Sequence, residues 1–177
     1  MTTITVRDSV EVIIGEYPLA KELKKAVVPV LENYPDAVGR KSNVKAIMTE
    51  WDWDPDILQL KHFKMYMNEE VHKNFLLTVN GGQSITSYPL KDFWGNVYEK
   101  GDYTQSHHHK PAAVSCAYFL KAKWYDSPFV FTNSGKRIGP KEGRYVLFPS
   151  HLKHHVPKHR FNHKRMTLSA NWGCKVK

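Results

Sequence analysis

The chain has 177 residues, of which 41% are hydrophobic and 24% are charged. This length and composition are typical of one globular domain with its own core, and they exclude an extended disordered chain. The net charge of +9 comes from 26 basic and 17 acidic residues. The basic residues are spread along the chain, which favours a solvated basic surface over a nucleic-acid module, although nucleic acid stays open as a partner.

The cysteine and hydropathy patterns indicate a cellular compartment. Cys116 and Cys174 have no metal-binding or redox spacing, so we expect free thiols in a reducing environment. No run approaches 18 apolar residues, and the first 12 residues lack the basic region and apolar core of a signal peptide. We therefore predict a cytoplasmic protein without a membrane span.

The first 83 residues are predicted to form the helical part of the chain. The expected elements are β-like runs at 4–6 and 10–14, a helix at 19–33, a strand at 44–49 and a long helix at 57–79. Apolar residues at a spacing of four support the first helix, which Pro18 opens and Pro29 is expected to kink. Gly81 and Gly82 are expected to end the second helix.

From residue 84 onward the sequence has the pattern of a β-protein. Apolar and aromatic runs of four to eight residues alternate with turn signals. The expected strands are 85–88, 93–98, 103–109, 114–121, 129–132, 144–148, 154–157 and 165–172. About eight short strands at this spacing favour a barrel or sandwich. We predict a single domain, 1–177, with its helical part at 1–83 and its β core at 84–177.

Three consecutive histidines, residues 107–109, lie in one of these expected strands. Because side chains alternate along a strand, His107 and His109 are expected to share a face while His108 points away. Two imidazoles on one face are half of a metal site. A later group offers candidates for the third ligand: His151, His154 and His155. Such a three-point arrangement leaves positions open, as catalytic iron sites require, and it also suits Zn, Ni and Cu.

The expected strand 165–172 alternates strictly between polar and apolar residues. Its polar face carries Arg165, Thr167, Ser169 and Asn171. A wholly polar face on a core strand is expected to line a wet cavity. An arginine in that position can hold a carboxylate through two parallel hydrogen bonds, with help from a hydroxyl two residues on.

These residues resemble the motifs of the Fe(II)/2-oxoglutarate-dependent oxygenases, and most closely those of a phage and marine-bacterial group assigned to that superfamily. The matching segments are Trp94 with Asn96, Gly101, residues 107–109, 115–120 with Tyr118, 147–154 and 165–171. Order and spacing agree together: 46 residues separate His107 from His154, and ten separate His154 from Arg165. The resemblance covers residues 93–172, about half of the chain.

The resemblance implies a mainly β fold, a double-stranded β-helix of the jelly-roll or cupin-like kind, with the N-terminal helices packed outside the barrel. It implies Fe(II) bound by His107, His109 and His154, and 2-oxoglutarate bound by Arg165. The expected helpers in co-substrate binding are Thr167, Ser169, Asn96 and Tyr118. The implied activity consumes dioxygen, decarboxylates 2-oxoglutarate to succinate and hydroxylates a C–H bond of an unidentified substrate, for example a protein side chain.

Some positions depart from the family pattern. His109 stands where most of the superfamily has Asp or Glu, and Cys116 stands where the group has glycine. Asp102 and Asp126 are alternative sources of a carboxylate ligand. His159 and His163 lie in a basic loop and are expected to be solvated.

Two other functions stay open on the sequence. One is a cupin-like three-histidine metalloenzyme that does not use 2-oxoglutarate. The other is a phage-type binding or structural module without catalysis. The oligomeric state is open.

Overall fold

The computed structural model describes residues 9–39, 41–75 and 85–176. These residues contain two helices, α1 (Ala20–Glu32) and α2 (Leu58–Asn74). They also contain thirteen strands: β1 (Ile13–Glu16), β2 (Val44–Lys45), β3 (Ile47–Met48), β4 (Ile85–Ser87), β5 (Leu90–Tyr98), β6 (Tyr103–His107), β7 (Val114–Lys121), β8 (Phe129–Phe131), β9 (Arg137–Ile138), β10 (Arg144–Pro149), β11 (His154–Val156), β12 (Arg165–Trp172) and β13 (Lys175–Val176).

The strands form two facing antiparallel sheets and a small ribbon. The major sheet has the order β1-β10-β7-β12-β5-β3, and the minor sheet has the order β2-β6-β11-β8-β9. Strands β13 and β4 pair separately. The chain crosses repeatedly between the two sheets, which makes the fold a double-stranded β-helix with the helices outside it, as the family resemblance implied.

Both helices cover the outer face of the major sheet. Helix α1 buries Leu23, Val27 and Leu31, which recur every four residues and so form one stripe. Helix α2 buries its own stripe of Leu60, Phe63, Met67 and Val71. The contact between α1 and the sheet is close at Gly95 of β5, where an added Cβ would lie 2.5 Å from Leu31 Cδ2.

The structure differs from the sequence prediction mainly before residue 84. The expected strand 44–49 is two strands: β2 pairs with β6 in the minor sheet, and β3 pairs with β5 in the major sheet. Strand β1 extends the major sheet by pairing with β10. The N-terminal part therefore contributes strands to both sheets as well as the two helices.

Several boundaries of helices and strands also differ from the predicted ones. Helix α2 ends at Asn74, and Pro29 lies inside α1 without ending it. The predicted run at 4–6 and the predicted helix end at Gly81-Gly82 lie outside the described residues. Strands β9 and β13 were not predicted, because a two-residue strand has no period to detect. Among the described residues, no helix is long and apolar enough to span a membrane.

Candidate metal centre

A β-bulge shapes the strand that carries the first histidine. Strands β6 and β11 pair His107 with His154 and Thr104 with Val156. The three-residue interval from Thr104 to His107 on β6 therefore faces the two-residue interval from His154 to Val156 on β11. This difference means that β6 contains one extra residue, which is a β-bulge. Because of the bulge, Thr104 and His107 both line the cavity between the sheets. The predicted strand 103–109 is therefore too long, because the strand ends at His107.

Three histidine side chains meet in this cavity. The ring centroids of His107 and His109 are 4.8 Å apart, those of His107 and His154 are 4.4 Å apart, and those of His109 and His154 are 5.0 Å apart. One nitrogen from each ring lies within 4.8 Å of the others. His109 follows the strand, and its backbone N–H donates to the carbonyl of Ser150 at 2.8 Å. His108 is exposed and does not line the cavity, as expected for a side chain that points away from it.

Hydrogen bonds to backbone carbonyls orient two of these rings. His107 Nδ1 lies 2.8 Å from the Gln105 carbonyl, and His154 Nδ1 lies 2.9 Å from the Leu152 carbonyl. A carbonyl only accepts, so Nδ1 donates in both rings and each Nε2 presents a lone pair. Phe129 stacks on the His154 ring, with centroids 4.9 Å apart and planes at 21°, which fixes its orientation further.

Burial favours the neutral form of the three imidazoles. Desolvation lowers the pKa of His109 to about 3, with smaller effects of His107 and His108. Desolvation also lowers the pKa of His107, and it lowers the pKa of His154 well below its usual value. Neutral imidazole is the form that binds metals. The donor set of three neutral nitrogens fits Fe(II), and also Zn, Ni and Cu.

Arg165 lines the same cavity, which has a volume of about 40 Å³. Its side chain is 1% exposed, and its Nε and Nη1 have no hydrogen-bond partner among the described residues. The guanidinium carbon lies 4.7 Å from the centre of the Tyr98 ring and 5.4 Å from that of Phe119. Burial lowers the pKa of Arg165, and Tyr98 and Asp126 oppose this effect. A buried cation with unpaired N–H groups is costly, so the cavity fits an anion.

Three of the predicted co-substrate residues line the same cavity as Arg165. Asn96 Nδ2 donates to Thr167 Oγ1 and to Ser169 Oγ, both at 3.2 Å. Asn96 Oδ1 in turn accepts a hydrogen bond from Trp94 Nε1 at 3.1 Å. The hydroxyl groups of Thr167 and Ser169 act as acceptors in these bonds, so each keeps a proton to donate to an anion in the cavity.

The structure places the Tyr118 ring elsewhere. Although Tyr118 borders the cavity, its ring packs against Phe63 and Tyr17 under the helices, at centroid distances of 4.6 and 6.4 Å. The predicted role of its hydroxyl in binding co-substrate is therefore not supported. Tyr98, which sequence reasoning missed, lies next to Arg165, and its hydroxyl bonds to Thr104 Oγ1 at 2.7 Å. Its position two residues after Asn96 on β5 was the available signal.

The alternative carboxylates do not join the three histidines. Asp102 Oδ2 accepts the Glu99 N–H at 2.9 Å and holds a turn. Asp126 belongs to a separate group with His159 and His163. The expectation that both of these histidines are solvated was wrong for His159, which is 1% exposed.

Comparison with known proteins identifies the fold. No protein-family model matches the chain, and no curated protein matches it. Solved structures, in contrast, do match the chain in their fold. A collagen prolyl hydroxylase of Paramecium bursaria Chlorella virus-1, solved with 2-oxoglutarate, has a TM-score of 0.70 and 11% identity over 91% of this chain and 94% of its own.

Two further structures extend this likeness. A Trichoplax adhaerens prolyl hydroxylase, solved with a peptide of hypoxia inducible factor, has a TM-score of 0.66 and 15% identity over 92% of this chain and 83% of its own. HygX of Streptomyces hygroscopicus, solved with nickel and 2-oxoglutarate, has a TM-score of 0.63 and 8% identity over 93% of this chain and 83% of its own. The chain thus has the double-stranded β-helix fold of the 2-oxoglutarate–Fe(II) oxygenases.

Proposed function

We propose that this protein is an Fe(II)- and 2-oxoglutarate-dependent oxygenase that hydroxylates a C–H bond. The observation that carries the proposal is the buried guanidinium of Arg165, two of whose nitrogens have no partner among the described residues, in the same cavity as three neutral imidazoles. Such a cavity suits a ligand that chelates a metal at one end and carries a carboxylate at the other, as 2-oxoglutarate does. The structural neighbours solved with 2-oxoglutarate support this choice of ligand.

The three histidines would hold the metal ion. His107 and His154 would bind it through Nε2, since their Nδ1 atoms are engaged by backbone carbonyls. His109, which makes no ring hydrogen bond with the described residues, would be the third ligand. A neutral third ligand leaves the site one charge more positive than a carboxylate would, and this favours a dianionic co-substrate.

When bound, Fe(II) would supply the oxidising chemistry, in which substrate, O₂ and 2-oxoglutarate give hydroxylated substrate, succinate and CO₂. The protein's part is binding and orientation. Arg165 would hold the carboxylate remote from the metal, and Thr167 and Ser169 would donate hydroxyl protons to it. Phe129 and Phe148 would keep water from the His154 side, where their rings both lie 4.9 Å from that imidazole.

The substrate is proposed to be a side chain of a protein or peptide. Trp51 is 43% exposed, and its ring lies 4.8 Å from that of Trp94. The Trp94 ring in turn lies 5.7 Å from His109. An exposed aromatic ring two contacts away from the metal ligands offers an apolar surface on which a substrate side chain can pack. The peptide bound to one structural neighbour supports this substrate class.

Anaerobic spectroscopy and a succinate assay test the proposal. Protein loaded with Fe(II) without oxygen is expected to develop a visible absorption band when 2-oxoglutarate is added, and to form succinate when oxygen is admitted. Arg165→Met should abolish both signals, whereas Arg137→Met, at an exposed position on β9, should keep them. Iron-loaded protein that gives neither band nor succinate contradicts the proposal.

A three-histidine oxygenase that does not use 2-oxoglutarate is the second candidate. The observation that favours it is the absence of a carboxylate among the residues described as lining the cavity. Under this alternative, Arg165→Met would leave metal-dependent chemistry intact and 2-oxoglutarate would change no spectrum.

A further inference from the structure

A second group of metal-binding side chains lies outside the cavity of the three histidines. Asp126 is in the loop between β7 and β8, and His159 and His163 are in the loop between β11 and β12. One donor atom from each lies within 4.8 Å of the other two. Asp126 is 4% exposed and His159 is 1% exposed, so two of the three donors are buried.

His159 presents a buried lone pair that has no partner. Its Nε2 lies 2.7 Å from the His163 carbonyl, and because a carbonyl only accepts, Nε2 carries the proton. In the neutral ring Nδ1 is then an acceptor. This Nδ1 is buried without a hydrogen-bond partner among the described residues. Buried polar atoms of this kind are uncommon and indicate a place for a ligand.

Further hydrogen bonds hold the three side chains in place. Asp126 Oδ1 lies 2.8 Å from His163 Nε2, while Asp126 Oδ2 accepts the Lys123 N–H at 2.8 Å. The bond from His159 Nε2 to a backbone carbonyl is typical of metal-binding histidines. The spacing of His159 and His163, with three residues between them, lies within the range found for histidine pairs in zinc sites.

We propose that Asp126, His159 and His163 bind a zinc ion, at a site separate from that of His107, His109 and His154. The ligand atoms are Asp126 Oδ1, His159 Nδ1 and His163 Nε2. In the neutral His163 ring the proton on Nε2 shifts to Nδ1 so that the Nε2 lone pair faces the ion. His163 is 25% exposed, and water reaches the fourth position from that side.

The site fastens two loops at one end of the barrel. The backbone of His159 is already held by the turn that contains Asp102, through bonds of 2.7 Å from its N–H and 2.8 Å to its carbonyl. The loop that carries His159 and His163 runs directly into β12 at Arg165. A zinc ion that joins this loop to Asp126 stabilises the start of β12. The inference does not depend on the proposed oxygenase activity.

Zinc stoichiometry tests the inference on the full chain. The protein is stripped of metal, incubated with excess Zn²⁺, passed through a gel-filtration column and analysed for bound zinc. We expect two equivalents for the unchanged protein. The double variant His107→Ala/His154→Ala should retain one equivalent, and adding His159→Gln to it should remove that one. The matched control, His62→Gln at an exposed position on α2, should change nothing.

His159 is buried, so a second variant guards against misfolding. His163→Gln in the double-variant background changes a partly exposed ligand and should also remove the remaining zinc, with an unchanged circular dichroism spectrum. The inference is overturned if the double variant binds no zinc. It is equally overturned if one equivalent persists in both the His159→Gln and His163→Gln backgrounds. Absence of succinate formation in the unchanged, iron-loaded protein, with this zinc bound, would contradict the proposed function alone.

Discussion

Replacing Arg165 by methionine should make the metal-free protein more stable and unable to bind 2-oxoglutarate. Arg165 is 1% exposed and two of its guanidinium nitrogens have no partner among the described residues, so Tyr98, Phe119 and Asp126 compensate its burial only in part. Replacing buried ionic groups by apolar side chains of similar size often stabilises proteins by about 1–4 kcal/mol. For a chain of this length, about 2–4 °C of melting temperature corresponds to each kcal/mol. We expect Arg165→Met to melt roughly 2–16 °C higher than the unchanged protein.

The ligand response should change in the opposite sense. At a concentration 100 times its dissociation constant, a ligand stabilises a folded protein by about 2.7 kcal/mol. With metal present, 2-oxoglutarate should therefore raise the melting temperature of the unchanged protein by roughly 5–10 °C and that of Arg165→Met by nothing measurable.

Differential scanning calorimetry with and without 2-oxoglutarate, in the presence of Mn²⁺, measures both effects. Arg137→Met is the control, and its exposed position predicts a change within about 0.5 kcal/mol. The reasoning is refuted if Arg165→Met lowers the melting temperature while keeping the 2-oxoglutarate response. That pair of results would mean that Arg165 stabilises the fold and binds no co-substrate.

Three further predictions concern the metal ligands and the packing. His154→Ala should weaken Mn²⁺ binding by more than about 100-fold, whereas the control His155→Ala should not. Calorimetric titration measures both affinities. An equal loss of Mn²⁺ affinity in the two variants would contradict the assignment of His154 as a ligand. The pKa of His109 is lower in the folded state than in the unfolded chain, so the metal-free protein should lose stability as the pH falls from 6.5 towards 3. This group alone should lower the free energy of unfolding by up to about 1.4 kcal/mol per pH unit. Urea unfolding curves that do not change between pH 7 and pH 5 would refute this. Gly95→Ala should cost about 1–3 kcal/mol, because its Cβ would lie 2.5 Å from Leu31 Cδ2; an unchanged urea midpoint would show that α1 can shift.

The sequence predicted the elements that have a long, clear period. Helix α1 was found because its buried residues recur every four positions, and β12 because polar and apolar residues alternate along its whole length. Strands β2 and β3 could not be separated, because a run of five residues does not show that its halves pair with different sheets.

The sequence predicted which residues belong to the candidate metal centre, but it did not predict the backbone geometry that positions them. The candidate ligands His107, His109 and His154 came from the strand pattern and the family resemblance, and the structure brings their rings together. The bulge in β6 was not predictable, because it depends on pairing with β11 across the barrel. The ligand roles of the three residues stay predictions until a metal is bound.

Side-chain direction caused the other differences. Tyr118 and Tyr98 are both aromatic residues of core strands, and the sequence does not say which face of each strand the helices cover. His159 was expected to be solvated because basic residues surround it in the sequence. Its burial depends on contacts with the turn at Asp102, which is 57 residues away.

A crystal structure of the protein with Mn²⁺ and 2-oxoglutarate tests the central claim most directly. The account predicts an anomalous peak bound by His107, His109 and His154, and a 2-oxoglutarate carboxylate paired with the guanidinium of Arg165. Manganese bound elsewhere, or 2-oxoglutarate bound away from Arg165 with the metal in place, would contradict it.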